Sequence, residues 1–423
     1  MVVDGDKVVT FKVDLLSPRA RRGLSLIGLA VTVIVVSSVV YLHPSPPPKA
    51  ASPLPTPSPL PFSRLTDAVS YDFVTSSMGW ALVVTTGTGG IGFSVFRTVD
   101  GTKHWQQQLT GSQDVTDNFS LLSVVTFFDR SNGFVQIPGL NDLVYRTTDG
   151  GAHWRSVVLP SPGGAVISFS DPSNGWVLVS ASPTDQTVNL YATIDGGSTW
   201  QRLPDPPRDV CIPAYGSCEL IPIGLGPGID RWATITFRGP SEGWIGGRGD
   251  PEPHVYSSSD GGRSWNRHNV PVPKDGLAPR AISSVHLLPG TGVIAYLDGG
   301  SGPDYPATSF DGGASWRSVT TPPTYGSNFG GGSISFQDAY HWWNTDGDNL
   351  FKSSDAGQTW SVSNLGILGL FSYQFIDSQH VWGLYRGGTP APPLTLPGPA
   401  GQGLAVTADG GLHWTQASVP DPA

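Results

Sequence analysis

From about Leu65 onward the chain consists of short runs in which apolar β-branched and aromatic residues alternate with polar ones, and glycine, proline, asparagine or aspartate closes each run. A period of two marks a strand with one buried face, so the pattern predicts strands rather than helices. The stretch from Leu121 to Leu159 shows the grouping: "LLSVVTFF", "GFVQIP", "DLVYRTT" and "HWRSVVL" follow one another as four predicted strands. The N-terminus has a different pattern. Leu24 to Leu42 is an apolar stretch without a charge, about 28 Å long as a helix against a bilayer core of about 30 Å.

The turn between the third and fourth predicted strands recurs. "TVDGTKHW" starts at Thr98, "TTDGGAHW" at Thr147, "TIDGGSTW" at Thr193, "SSDGGRSW" at Ser258, "SFDGGASW" at Ser309, "SSDAGQTW" at Ser353 and "TADGGLHW" at Thr407. Upstream of most boxes stands a second pattern, a strand ending in Phe, a polar turn, then Gly and an aromatic. It reads "FVTSSMGW" at Phe73, "FFDRSNGF" at Phe127, "FSDPSNGW" at Phe169 and "FRGPSEGW" at Phe237, with looser versions in "LLPGTGVI", "FQDAYHWW" and "FIDSQHVW". A four-strand unit returning every 44 to 65 residues, as the box starts show, has the period of a propeller blade. The expected fold is therefore all-β: one seven-bladed propeller of four-stranded antiparallel blades.

Each box residue has a structural duty on this register. The aspartates (Asp100, Asp149, Asp195, Asp260, Asp311, Asp355, Asp409) accept backbone N–H groups of their own turns, and glycine supplies positive φ. The tryptophans (Trp105, Trp154, Trp200, Trp265, Trp316, Trp360, Trp414) open the fourth strand and pack inward. His104, His153 and His413 share the seventh box position, which favours a structural reading over a ligand set. No metal site and no cofactor is expected.

These residues resemble the Asp-box, or bacterial neuraminidase repeat, of sialidases, sortilin-type receptors, two-propeller xyloglucan hydrolases and the photosystem II stability/assembly factor family. The paired Phe-x-Asp…Gly-Trp and Thr/Ser-x-Asp-Gly-Gly…Trp signature looks most like the last of these, over Leu65 to Pro420. That resemblance implies a propeller that binds membrane-protein assembly intermediates without catalysis, docking through a basic patch. A sialidase would carry three substrate-binding arginines, a Tyr activated by Glu, and an Arg-Ile-Pro sequence. This chain has no Arg-Ile-Pro and three glutamates in all, Glu219, Glu242 and Glu252.

Charge narrows the partners. The chain carries 24 Lys and Arg against 33 Asp and Glu. Five basic and three acidic residues precede Leu24, leaving 24 − 5 = 19 against 33 − 3 = 30, so the region beyond is acidic and a poor partner for nucleic acid. Arg19, Arg21 and Arg22 stand just before the apolar stretch, which orients it as an anchor with a cytoplasmic N-terminus and everything else outside. A cleaved signal peptide is the alternative. The expected organisation is a cytoplasmic tail (1–23), a transmembrane anchor (24–42), a Pro-rich stalk (43–64) and a propeller (65–423) at the cell membrane.

In an antiparallel four-stranded blade the boxes and Gly-Trp turns share one face. The long insertions, Asp205 to Asp230 and Gly387 to Gly403, fall on the other. Variable loops on a rigid scaffold are where binding residues concentrate. Arg208, Tyr215, Arg248, Asp304 and Tyr305 are the candidate binding residues there, against the alternative that they only cap the channel. Cys211 and Cys218, the only cysteines, are expected to pair as a disulfide worth about 2.5 kcal/mol, with a shared metal as the rival. The expected function is a non-catalytic protein-binding or assembly scaffold, its partner a protein, a membrane-protein complex or a cell-surface glycan. The alternative is a glycan-binding protein or a sialidase-like glycoside hydrolase using Glu219, Glu252 and Asp304.

Overall fold

The computed structural model describes residues 68–87, 90–113, 123–137, 143–160, 166–182, 185–207, 235–246, 252–272, 282–288, 290–297, 305–320, 334–345, 349–365, 370–386 and 402–420. The predicted anchor and stalk lie outside them, and no helix among the described residues is long and apolar enough to cross a membrane.

The described strands form seven sheets. Blade 1 is β1 (Ala68–Phe73), β2 (Gly79–Gly87), β3 (Gly90–Thr98) and β4 (Gln106–Gln113). Blade 2 is β5 (Val124–Phe127), β6 (Gly133–Ile137), β7 (Leu143–Thr147) and β8 (Arg155–Val157). Blade 3 is β9 (Val166–Phe169), β10 (Gly175–Ser182), β11 (Asp185–Thr193) and β12 (Gln201–Arg202). Blade 4 is β13 (Ile235–Arg238), β14 (Glu242–Gly246), β15 (His254–Ser258) and β16 (Asn266–Asn269). Blade 5 is β17 (Ile282–Leu287), β18 (Val293–Leu297), β19 (Tyr305–Ser309) and β20 (Arg317–Ser318). Blade 6 is β21 (Ser335–Phe336), β22 (Trp342–Thr345), β23 (Asn349–Ser353) and β24 (Ser361–Asn364). Blade 7 is β25 (Leu370–Phe375), β26 (Val381–Arg386), β27 (Gln402–Thr407) and β28 (Thr415–Ala417). Every sheet is antiparallel with its strands in chain order, so the protein is a seven-bladed β-propeller.

The ring closes through side chains. Each of seven apolar clusters is drawn from two consecutive blades, and one of them joins Tyr71 and Phe73 of blade 1 to Trp382 and Leu384 of blade 7. A twisted four-stranded sheet has two apolar faces, and only a neighbour on each side buries both. Among the described residues no strand of one blade is lent to another.

The repeated Phe, Gly and two aromatics build one motif at each seam. Phe73, Phe127, Phe169 and Phe237 pair across the ladder with Gly79, Gly133, Gly175 and Gly243. A Cβ on any of these glycines would fall 2.2–2.6 Å from the Phe ring. The missing Cβ lets each ring lie flat against an aromatic of the preceding blade, as in Phe127 on Trp80 (3.5 Å, 7°) and Phe237 on Trp176 (3.6 Å, 2°). The box Trp of the same blade then meets the Phe edge-on, Trp154 to Phe127 at 89° and Trp265 to Phe237 at 73°. Offset-stacked and edge-on pairs are the two favoured aromatic geometries.

Candidate binding faces

The box turns are the best defined surface. In "TTDGGAHW" the Thr147 hydroxyl donates to Asp149 Oδ1 (2.9 Å) and accepts the N–H groups of Asp149 (3.3 Å) and Gly151 (2.8 Å). Asp149 Oδ1 also accepts the His153 N–H (2.9 Å), and its Oδ2 lies 2.7 Å from His153 Nδ1. Gly150 and Gly151 have φ of 73° and 90°, a region that side chains other than glycine enter at a cost. Two boxes pay that cost, with Thr102 at 73° and Ala356 at 56°.

The seventh box position supplies one donor to the second carboxylate oxygen. His104, His153 and His413 do this with Nδ1, and Thr199, Ser264, Ser315 and Thr359 do it with a hydroxyl. Their donors hold Asp100, Asp149, Asp195, Asp260, Asp311 and Asp355 down at about 2, and Asp409 lower still. The box carboxylates are thus occupied by their own turns. Among the described residues no three His, Cys, Asp or Glu side chains come together as a metal cage.

The box and Gly-Trp turns lie side by side. Gly101, Gly150, Gly196 and Gly261 donate N–H to the carbonyls of Ser77, Ser131, Ser173 and Ser241 at 2.8–2.9 Å. The next contact runs between blades. Arg146, just before its box, donates from Nη1 to the Asp195 carbonyl of the next box (2.7 Å), and its guanidinium sits over the Phe134 ring. Lys352 repeats the arrangement with the Gly410 carbonyl (2.6 Å) and the Trp343 ring, and Arg97 lies over Trp80. Burial pushes both Arg146 and Lys352 below their ordinary values. Arg146 and Lys352 therefore fasten neighbouring blades. Arg155 and Arg263 are also engaged, with Ser198 Oγ and the Asp260 carbonyl.

The opposite face lies at the far ends of the same strands. Arg208, Tyr215, Arg248, Asp304, Glu219, Cys211 and Cys218 fall outside the described residues, so their contacts and the disulfide are not placed. Tyr305 opens β19, opposite Leu297 on β18, which puts its backbone at the loop end of blade 5. Polar side chains pair on blades 3 and 4, which the largest insertion joins in sequence. Arg202 of blade 3 bonds Asp205 (2.7 Å) and Asn189 (2.8 Å). On blade 4 Asn269 donates to Glu252 Oε2 (3.0 Å), while the buried His254 ring lies 2.7 Å from the Glu252 carbonyl through Nδ1.

One group escaped the sequence reading. Asp72, in the "SYDF" that ends β1, is fully buried. Its Oδ2 accepts the Phe127 N–H of blade 2 (2.6 Å), and its other oxygen accepts Gln374 Nε2 of blade 7. Gln374 Oε1 in turn accepts the Phe73 N–H (2.8 Å). A charged residue inside an otherwise apolar strand was the available signal.

No protein-family profile and no curated protein matches this chain. Several solved structures are similar to it. YCF48 bound to a D1 peptide is 18% identical, covering 79% of this chain and 93% of its own, with a TM-score of 0.48. YCF48 from Cyanidioschyzon merolae is 20% identical over 79% and 95%, with a TM-score of 0.47. The GH74 xyloglucanase from Xanthomonas campestris is 15% identical over 85% of this chain and 61% of its own, with a TM-score of 0.43.

Proposed function

We propose that the chain is a non-catalytic protein-binding scaffold, held at the cell membrane by its N-terminal segment, with the propeller outside and a protein partner on its loop face. The observation that carries this reading is the saturation of the box face: every box carboxylate is bonded inside its own turn. Chemistry spent on holding turns is not free for a ligand. The long insertions leave from the other ends of the strands, between β12 and β13 and between β26 and β27. β1 also begins at that end of its blade.

The partner under this reading is a membrane protein or a protein close to the membrane surface. The test is crosslinking of the full-length chain in its own membrane, beside a variant lacking Asp205 to Asp230 and a Cys211→Ser/Cys218→Ser variant. Loss of one crosslinked partner from both variants is the expected result. An unchanged set of crosslinks would move the site to another face. Hydrolysis of an aryl glycoside by the purified chain, abolished by Glu252→Gln, would replace the scaffold by a glycoside hydrolase.

A further inference from the structure

The innermost strand of each blade is an edge strand, and its unpaired N–H groups need acceptors. At the two seams that flank blade 1 those acceptors are side chains. Gln374 of β25 accepts the Phe73 N–H, Asp72 of β1 accepts the Phe127 N–H, and Ser70 Oγ accepts the Val125 N–H (3.2 Å). Gln374 Nε2 closes the chain by donating to Asp72. Asp72 therefore touches blades 7, 1 and 2 at once, where the described residues join the blades by packing and polar side-chain contacts.

We propose that Asp72 and Gln374 form the latch of the ring, and that the proton on Asp72 sets how tightly blades 7, 1 and 2 close.

The electrostatics are those of a buried carboxyl with no counter-ion beside it among the described residues. The strands around it read AVSYDF (β1), VVTF (β5) and LFSYQF (β25), in which Asp72 is the only charge and Tyr71 and Tyr373 are the only other titratable groups. GWALVVTTG (β2) adds none, and VWGLYR (β26) adds Tyr385 and Arg386 at its loop end. Burial raises the carboxyl from 3.8 to about 6, while the donors Phe127 N–H and Gln374 pull the other way. A carboxyl raised in the closed form makes its full contribution to closure below the open-state value near 4 and loses it as pH rises through about 6.

Hydrogen exchange on the full-length chain reads this without any substitution. Protection of peptides covering β1 and β25, divided by that of β13 and β17 inside the ring, removes the intrinsic pH dependence of exchange. The ratio is expected to fall roughly 20-fold between pH 4.5 and 7. Asp72→Asn, which cannot ionise, is expected to flatten the curve. Gln374→Ala, which removes one donor to the carboxylate, is expected to move its midpoint to higher pH. A ratio that stays constant in the unaltered chain, or a fall that survives in Asp72→Asn, would overturn the latch. Should Asp72→Asn fail to fold, the unaltered chain and Gln374→Ala decide the matter between them.

Discussion

Blades 1 to 4 and blades 5 to 7 bury the same kind of seam with different residues. In the first group a glycine lies under the Phe of each innermost strand, and the rings stack on the preceding blade at 3.5–3.9 Å and 2–21°. In the second group the glycine position holds Val293, Trp342 or Val381. Phe375 then meets Trp343 of blade 6 at 86° rather than flat, Phe336 meets Trp342 of its own blade at 81°, and Leu287 stands in place of the aromatic. All seven seams are buried. What differs is how closely each fits, and a single absent Cβ decides it, because interiors packed near crystal density leave no slack for a ring to share space with a methyl group.

Acid gives the largest expected effect and tests whether the two groups of blades fail together. The seven box aspartates are depressed in the folded chain, so their contribution is present above the unfolded value near 4 and lost as pH falls toward 2. Because every blade carries a box, circular dichroism and hydrogen exchange should show all blades released in one transition below pH 4. Early release of blades 5 to 7 alone would show that seam packing outweighs the turns.

Substitutions separate the groups further. Phe237→Ala is expected to cost about 4 kcal/mol by urea denaturation, and Leu287→Ala at the matching place in blade 5 about 3 kcal/mol. The aromatic pair adds to the cavity term only where the ring is stacked. Gly243→Ala should cost about 2 kcal/mol, since the new methyl must displace the Phe237 ring; no measurable loss would mean the flat stack is dispensable. Thr147→Val keeps the shape of the buried Thr but leaves the Gly151 N–H unpaired, for a loss of about 1.5 kcal/mol. The smallest effect is a gain: Thr102→Gly relieves a β-branched residue at φ 73° and should raise stability by at most about 1 kcal/mol.

Much of the fold was legible because the chain repeats itself. Seven boxes gave the blade count, and the place of each box after its third strand agrees with the observed hairpins. The seventh box position illustrates the limit. Histidine in three copies and hydroxyl residues in the other four look unlike one another in sequence, yet each supplies one donor to the same oxygen. In sequence Arg146 is only a cation before its box, and its use as a fastener of blade 2 to blade 3 depends on a carbonyl 49 residues away. The loop residues Arg208, Tyr215, Arg248 and Asp304 were chosen from sequence as exposed recognition groups and lie outside the described residues.

The sequence by itself determined the strands, the turns and their number, because alternation, positive-φ glycines and self-bonding aspartates act over a few residues. Tertiary structure decided which blade each aromatic leans on, which cations span a seam, and that Asp72 is buried beneath two donors from blades 7 and 2. Those outcomes depend on residues about 50 to 300 positions apart being brought together by closure of the ring. Local pattern holds no record of which neighbour a closed ring will supply.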